Sequence, residues 1–221
     1  LYLIVALLVL AGLKLPKDDR APLDQLERAA YDLQMDWLRE HHPRMLEDDV
    51  VIIGIDAEAE QVFTEPIALW HRHYADVLLG LEMARPRAVG VDVVLPERSY
   101  NDIVPGLDNV LPAAIFKLRA ATHLVYVFGV TAEGVPEKML PIYLRILDNQ
   151  RNFGVDQMIK DPDGVARRFS EPEVGRNAPA PTLVGQILRG LGKPVQEGYI
   201  DFSVVGRPGY VPMAKVVAMA R

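Results

Sequence analysis

Two apolar runs dominate the hydrophobic pattern of the chain, Val50-Val51-Ile52-Ile53-Gly54-Ile55-Asp56 and Ala88-Val89-Gly90-Val91-Asp92-Val93-Val94-Leu95. Both are short, rich in β-branched residues and almost unbroken by polar positions, which predicts strands buried on both faces. Between them Tyr74, Val77, Leu78, Leu81 and Ala84 recur at helical spacing, and Pro86 ends the series. Strand, helix and strand over this length predict a crossover unit with the two strands as parallel neighbours. Each run also carries a glycine followed two residues later by an aspartate, Gly54-Ile55-Asp56 and Gly90-Val91-Asp92. Parallel pairing would set Asp56 and Asp92 together at the carboxyl ends of the strands, the edge where open α/β sheets bind ligands.

Upstream, residues 1–13 are apolar throughout, with only Tyr2 and Gly12 breaking the aliphatic series. Thirteen residues fall short of the about 20 that span a bilayer. Since the sequence opens on leucine, residues 1–15 read as part of a transmembrane anchor that begins further upstream. A buried core helix, or the tail of a cleaved signal segment, would carry the same composition. Residues 16–22 are polar and short, a linker. After it, Asp24 and Glu27 offer a capping-box start. Leu26, Ala30, Leu33 and Trp37 then recur at helical intervals up to about Glu40, which predicts a stripe packed inward. That helix either covers the sheet or acts as a stalk between membrane and domain.

Further along, helical spacing covers residues 107–121, with Pro112 tolerable if the first turn starts late. Residues 123–130 read as a third buried strand, and 139–147 as a short helix. Residues 152–159 read as a strand weakened by Gly154, 181–191 as a helix, 199–204 as a strand and 213–220 as a closing helix. The alternation predicts an α/β fold: a central mostly parallel sheet flanked by helices, preceded by an N-terminal membrane-anchor helix.

Composition changes this picture by exclusion. Half of the 221 residues are hydrophobic, enough for one substantial core. The net charge of -6 comes without any block of lysine or arginine, which argues against nucleic acid as a partner. The absence of cysteine removes disulfides, thiolate metal sites and cysteine nucleophiles.

Candidate chemistry is sparse. His41-His42 and the His71/His73 pair have no third ligand at metal-site spacing, so no metal is expected. Asp161-Pro162-Asp163-Gly164 resembles the start of a calcium loop but lacks its later ligands, and a tight turn is the reading. No phosphate loop, nucleophile elbow or zinc-helix motif is present, so no cofactor and no catalysis by this chain are expected. What remains is the strand-end edge: Asp56, Trp70, Arg72, Asp92 and Glu97. Their types suit a polar or cationic ligand, with Trp70 as an aromatic wall. They equally suit loop capping, or a closing ion pair between Arg72 and Asp92 or Asp56.

In order and spacing the motifs resemble the second CHASE family of extracytoplasmic sensory domains. The matching residues are Leu26-Glu27 and Tyr31-Asp32-Leu33, then VVIIGID (50–56) and Trp70-His71-Arg72 with Tyr74-Ala75. They continue with ARPRAVGVDVVLPE (84–97) and DPDGVARR (161–168). The chain departs from the family where a proline-tryptophan-proline-arginine stretch is expected and Leu69-Trp70-His71-Arg72 stands. The resemblance implies that residues 23–221 are a sensory domain facing the periplasm or cell exterior. It implies the membrane as one partner, an unidentified small ligand or protein as another, and allows a homo-oligomer. Members continue into further membrane helices and an output module, whereas this sequence stops at Arg221, so the expectation is either a piece of a longer receptor or a protein with no effector of its own. The alternative is a structural, membrane-anchored subunit of an envelope complex that uses the same fold for protein contacts.

Overall fold

The computed structural model describes residues 21–46, 50–131, 135, 137–148, 151–171, 173–174 and 178–221. The expected anchor and most of the linker lie outside these residues. Helix α1 (Ala21–His41) is followed by strands β1 (Arg44–Met45) and β2 (Val51–Gly54) and by helix α2 (Ala57–Val62). A 3-10 turn at Ile67–Leu69 leads into α3 (His71–Ala84), β3 (Ala88–Val91), α4 (Leu107–Ala121) and β4 (His123–Phe128). Helix α5 (Pro141–Ile146) and β5 (Phe153–Val155) come next, then the short strands β6 (Arg168–Phe169), β7 (Glu173–Val174) and β8 (Ala178–Pro179). The chain closes with α6 (Leu183–Gly190), β9 (Gly198–Tyr199), β10 (Val204–Val205), β11 (Gly209–Pro212) and α7 (Met213–Ala220). Among the described residues no helix is long and apolar enough to cross a membrane.

The chain divides into two compact units, the first made of Leu1–Val50 with Asp201–Pro208. Its described part is α1 plus the parallel pair β1–β10, in register Arg44 to Val204. Arg39 Nε donates to the Phe202 carbonyl at 3.1 Å, and Arg44 pairs with Asp201 at 2.6 Å. Here the inward stripe expected from the sequence is overturned. Leu26 is 66% exposed, Leu33 73% and Trp37 49%. The half-buried side is the opposite one, carrying Tyr31, Met35 and Leu38. Helical periodicity reveals that an apolar stripe exists; it does not say which part of the chain covers it.

The second unit, Val51–Ile200 with Gly209–Arg221, holds the main core. Its centre is the parallel sheet β3-β4-β5 with β4 in the middle. Residues Leu124 to Val127 are at most 2% exposed, as expected of a strand covered on both faces. Leu111, Ile115 and Leu118 of α4 pack into the same cluster as Leu78 of α3 and Leu124 of β4. Pro112 lies inside α4 rather than in its first turn. The missing N–H costs one bond near the helix start, and burial of Leu111, Ala114 and Ile115 around it offsets that loss. Gly154 does not weaken β5. A Cβ there would collide with the Thr182–Leu183 backbone, so the glycine is what lets the start of α6 approach the strand. Helix α3 ends where Arg85 turns left-handed (φ 49°), returning its N–H to the Leu81 carbonyl just before Pro86.

The α/β class holds, but the single central sheet does not. The described strands form three short parallel sheets and two antiparallel pairs, β6–β9 and β7–β8. The pairing of the two apolar runs is also overturned. Strand β2 lies parallel to β11, with Gly54 opposite Pro212, whereas β3 lies parallel to β4. A second core explains the choice. Met213, Ala214 and Val217 of α7 pack with Ala59, Phe63 and Trp70, which brings β11 beside β2. Nor is β2 buried on both faces: Val51 is 60% exposed and Ile52 44%. Strand β11 is hard to read from sequence because Pro208, Gly209 and Pro212 leave only Tyr210 and Val211 as strand-like residues.

Candidate functional site

Asp56 ends the first apolar run and is the N-cap of α2, in extended conformation, its Oδ1 accepting from the Ala59 N–H at 3.2 Å. Its other oxygen accepts from the Tyr210 hydroxyl at 2.9 Å. Gly54 makes that reach available, because the Tyr210 ring occupies the space where a Cβ would stand. The Tyr210 hydrogen bond, helped by the Ala59 N–H, holds the Asp56 carboxyl below its ordinary value, and the same bond pushes the Tyr210 hydroxyl up. Residues 57–62, directly after the first apolar run, therefore form a capped helix.

Trp70 is 2% exposed. Its Nε1 donates to the Glu65 carbonyl at 2.8 Å, and its ring meets Phe63 edge-on at 5.1 Å. It staples the loop to α3 rather than walling a ligand. Beside it His73 stacks on Phe63 with centroids 3.7 Å apart. His73 Nε2 lies 2.5 Å from a Glu65 carboxylate oxygen, and Nδ1 3.1 Å from Arg221, which also pairs with Asp76 at 2.8 Å. A guanidinium only donates, so Nδ1 is the acceptor and Nε2 carries the proton given to Glu65. Glu65 sits below its ordinary value, chiefly through its own backbone N–H and then through His73. This Glu65–His73–Arg221–Asp76 chain holds a histidine in one tautomer. No serine, threonine or cysteine takes part in it.

Arg72, Asp92 and Glu97 are exposed. Among the described residues Arg72 makes no ion pair, so the closing pair with Asp92 or Asp56 is not formed. Helical geometry gives the reason: His71 and His73 point into the core, which turns Arg72 between them to the outer side of α3. No hydrogen bond, ion pair or ring contact among the described residues joins any two of the five candidates, and Asp56 and Asp92 come after strands of different sheets.

The Asp161–Gly164 motif is a turn. Gly164 has φ +83°, its N–H returns to the Asp161 carbonyl at 2.8 Å, and Asp161 N–H to Val165 at 2.9 Å. The place between the two carboxylates is taken by a cation of the chain itself. The Arg167 guanidinium, 4% exposed, lies 3.0 Å from Asp161 and 2.9 Å from Asp163. No group of residues suited to holding a metal occurs among the described residues.

The CHASE2 domain model matches residues 3–213, nearly the whole chain. The chain belongs to the CHASE2 family. CHASE2 domains are extracytoplasmic sensory domains of membrane receptors. The chain matches no curated protein and no solved structure.

Within the CHASE2 fold, the matched span contains all five candidate residues and the Asp161–Arg168 motif. Sequence reasoning missed Tyr210 as the partner of Asp56, and Glu65, Asp76 and Arg221 as partners of His73. It also missed a buried polar group: both ring nitrogens of His71 and the Tyr143 hydroxyl lack a hydrogen-bond partner among the described residues. Burial pushes His71 below its ordinary value, opposed by the nearby Leu107 backbone and Asp108 carboxylate. Burial pushes the Tyr143 hydroxyl upward. A histidine one residue after tryptophan at a helix start was the only signal, and it did not distinguish the inward face from the outward one.

Proposed function

We propose that this chain is the signal-receiving part of a membrane-anchored receptor. Its folded residues stand on the outer side of the membrane, and residues 1–15 supply part of the anchor. The observation that carries this reading is the CHASE2 match, which begins at residue 3 and so takes in the apolar run directly before the folded region. Reception is a population shift: a small ligand or protein that favours one arrangement of the domain biases α1 and, through it, the anchor. Arg72, Asp92 and Glu97 keep exposed side chains for such a contact. Asp56 and Trp70 are already engaged by Tyr210 and Glu65 and support the fold.

Fractionation tests the anchor. The full chain is expected to stay with membranes through carbonate and high-salt washes, and release into the wash overturns the reading. Translating the gene beyond Arg221 tests the receptor role. A cyclase, kinase or phosphatase module is expected, and a stop codon favours an envelope subunit instead. The proposal also gives this chain no chemistry of its own. Hydrolysis of ester, phosphate or glycoside substrates that disappears in Asp56→Asn would refute that part.

A further inference from the structure

His71 is 2% exposed, and neither of its ring nitrogens has a hydrogen-bond partner among the described residues. A neutral imidazole is tolerated in such a place, but a charged one needs an acceptor or water. Helix α4 brings the Leu107 backbone and the Asp108 carboxylate beside the ring. Residues 93–106 bring Tyr100, whose ring meets the imidazole at 89° with centroids 5.6 Å apart. Arg98 lies over that tyrosine, 5.4 Å from its centroid. On α3 itself Tyr74 follows three residues on, while Arg72 is turned outward. The Tyr143 hydroxyl of α5, also buried without a partner among the described residues, has Asp108 as its near charge too. Of these covers the segment carrying Tyr100 is the loosest, since only Leu95 of residues 93–106 is buried. Its other ties are polar. The Tyr100 N–H donates to Asp108 at 2.9 Å, the Asp108 N–H to Asn101 at 3.1 Å, and the Leu140 N–H to the Pro96 carbonyl at 2.9 Å.

We propose that His71 is an acid-operated release for this segment: a second ring proton makes the imidazole a cation, draws Asp108 away from the Tyr100 N–H, and lets residues 97–104 lift so that water reaches the ring. Asp108 is the point of competition. It anchors the segment through a neutral N–H, and a hydrogen bond from a charged donor is the stronger of the two. In the closed arrangement burial holds His71 below its ordinary 6.5, and contact with water in the open one returns it to that value. The closed arrangement is therefore fully favoured above 6.5 and loses ground as the pH falls below it. At about pH 5 the gain of the open form is limited to about thirtyfold. Glu97 lies on the moving segment and Asp92 directly before the polar stretch, so acid changes the surface assigned above to signal contacts. The release itself needs neither ligand nor membrane and stands apart from the receptor reading.

Amide hydrogen–deuterium exchange of the full chain tests the release, read by mass spectrometry at about pH 7.5 and about pH 5 and corrected for the intrinsic pH dependence of exchange. The Tyr100, Ile103 and Val104 amides, all bonded in the closed segment, supply the signal. On acidification residues 97–104 are expected to lose protection by about tenfold, while residues 56–70 keep theirs. His71→Phe leaves a ring against Tyr100 that cannot be charged, and is expected to hold residues 97–104 equally protected at both pH values. Unchanged protection in the parent, or the same loss in His71→Phe, overturns the proposal. Loss over residues 56–70 as well overturns it too, because that marks general acid unfolding. Exchange at the ring carbon between the two nitrogens of His71 reports its protonation in the parent, so the test survives a His71→Phe chain that does not fold. The midpoint of that exchange is expected below 6.5, and a midpoint at or above 6.5 overturns the release.

Discussion

Gly54-Ile55-Asp56 and Gly90-Val91-Asp92 look like copies of one motif, and the structure uses them differently. The glycines behave alike: each lies where a side chain of another element presses on the strand, Tyr210 on Gly54 and Ile187 on Gly90. The aspartates diverge. Asp56 caps a helix and holds Tyr210, whereas Asp92 is exposed with no side-chain partner among the described residues. The segments downstream of the two aspartates account for the divergence. Residues 57–70 bring Ala59, Phe63 and Trp70, which bury against α7. Residues 93–106 bring only Leu95 into the core. Hydrogen bonds hold that second segment instead, from the Tyr100 N–H to Asp108 at 2.9 Å and from the Asp108 N–H to Asn101 at 3.1 Å. An apolar segment fixes its aspartate in place, and a polar one leaves it free to meet solvent.

The largest effect that tests this contrast belongs to Trp70. Trp70→Ala removes a buried aromatic ring from the second core, at a cost of about 3–5 kcal/mol. For a chain of this size the melting temperature is then expected to fall by about 6–20 °C. Limited proteolysis is expected to open residues 56–70 before 93–106 in the variant. A melt within two or three degrees of the parent would mean that the first segment does not depend on its apolar anchor.

Asp56 comes next. Asp56→Ala loses both the cap and the acceptor for Tyr210, so a measurable drop in melting temperature is expected. Asp56→Asn keeps a good capping group and is expected to lose less. The pH dependence has a definite sign. The folded pKa of Asp56 lies below the ordinary 3.8, so its stabilisation is fully present above that pH and lost as the pH falls through the folded value. Melts of the parent and Asp56→Asn from neutrality into strong acid are therefore expected to converge below about 3.8. A gap that stays constant would show that the Tyr210 bond does not depend on the charge of Asp56.

Legibility divides along the same line. Strand β4 and helices α3, α4 and α7 were readable because burial imposes a period on their residues. The Asp161–Gly164 turn was readable because its backbone demands glycine. The partner of β2 was not readable: a short apolar strand accepts any parallel neighbour, and the choice was made by Met213 and Val217, far along the chain. The apolar stripe of α1 was readable as a stripe, but the exposure of Leu26, Leu33 and Trp37 was not. Of the five candidate residues, the capping by Asp56 was among the readings the sequence offered, and the burial of Trp70 was not. The proposed Arg72 pair failed because the helix starts at His71, three residues before the first position its periodicity revealed.

The smallest expected effect is the sharpest test of the contrast. Had Arg72 and Asp92 formed a buried pair, Asp92→Asn would strand a guanidinium at a cost of about 3–5 kcal/mol. Both side chains are instead exposed. Substitutions at such surface positions usually stay within about 0.5 kcal/mol of the parent, which for this chain is a shift of at most about 2 °C. Asp92→Asn, Arg72→Gln and the double variant are therefore expected to melt together with the parent, and the double variant to show no coupling between the two sites. If Asp92 is nevertheless a contact for a ligand or partner, the same substitution weakens the response while leaving the melt alone. A loss of several degrees in either single variant, restored in the double, would return the two residues to a structural pair.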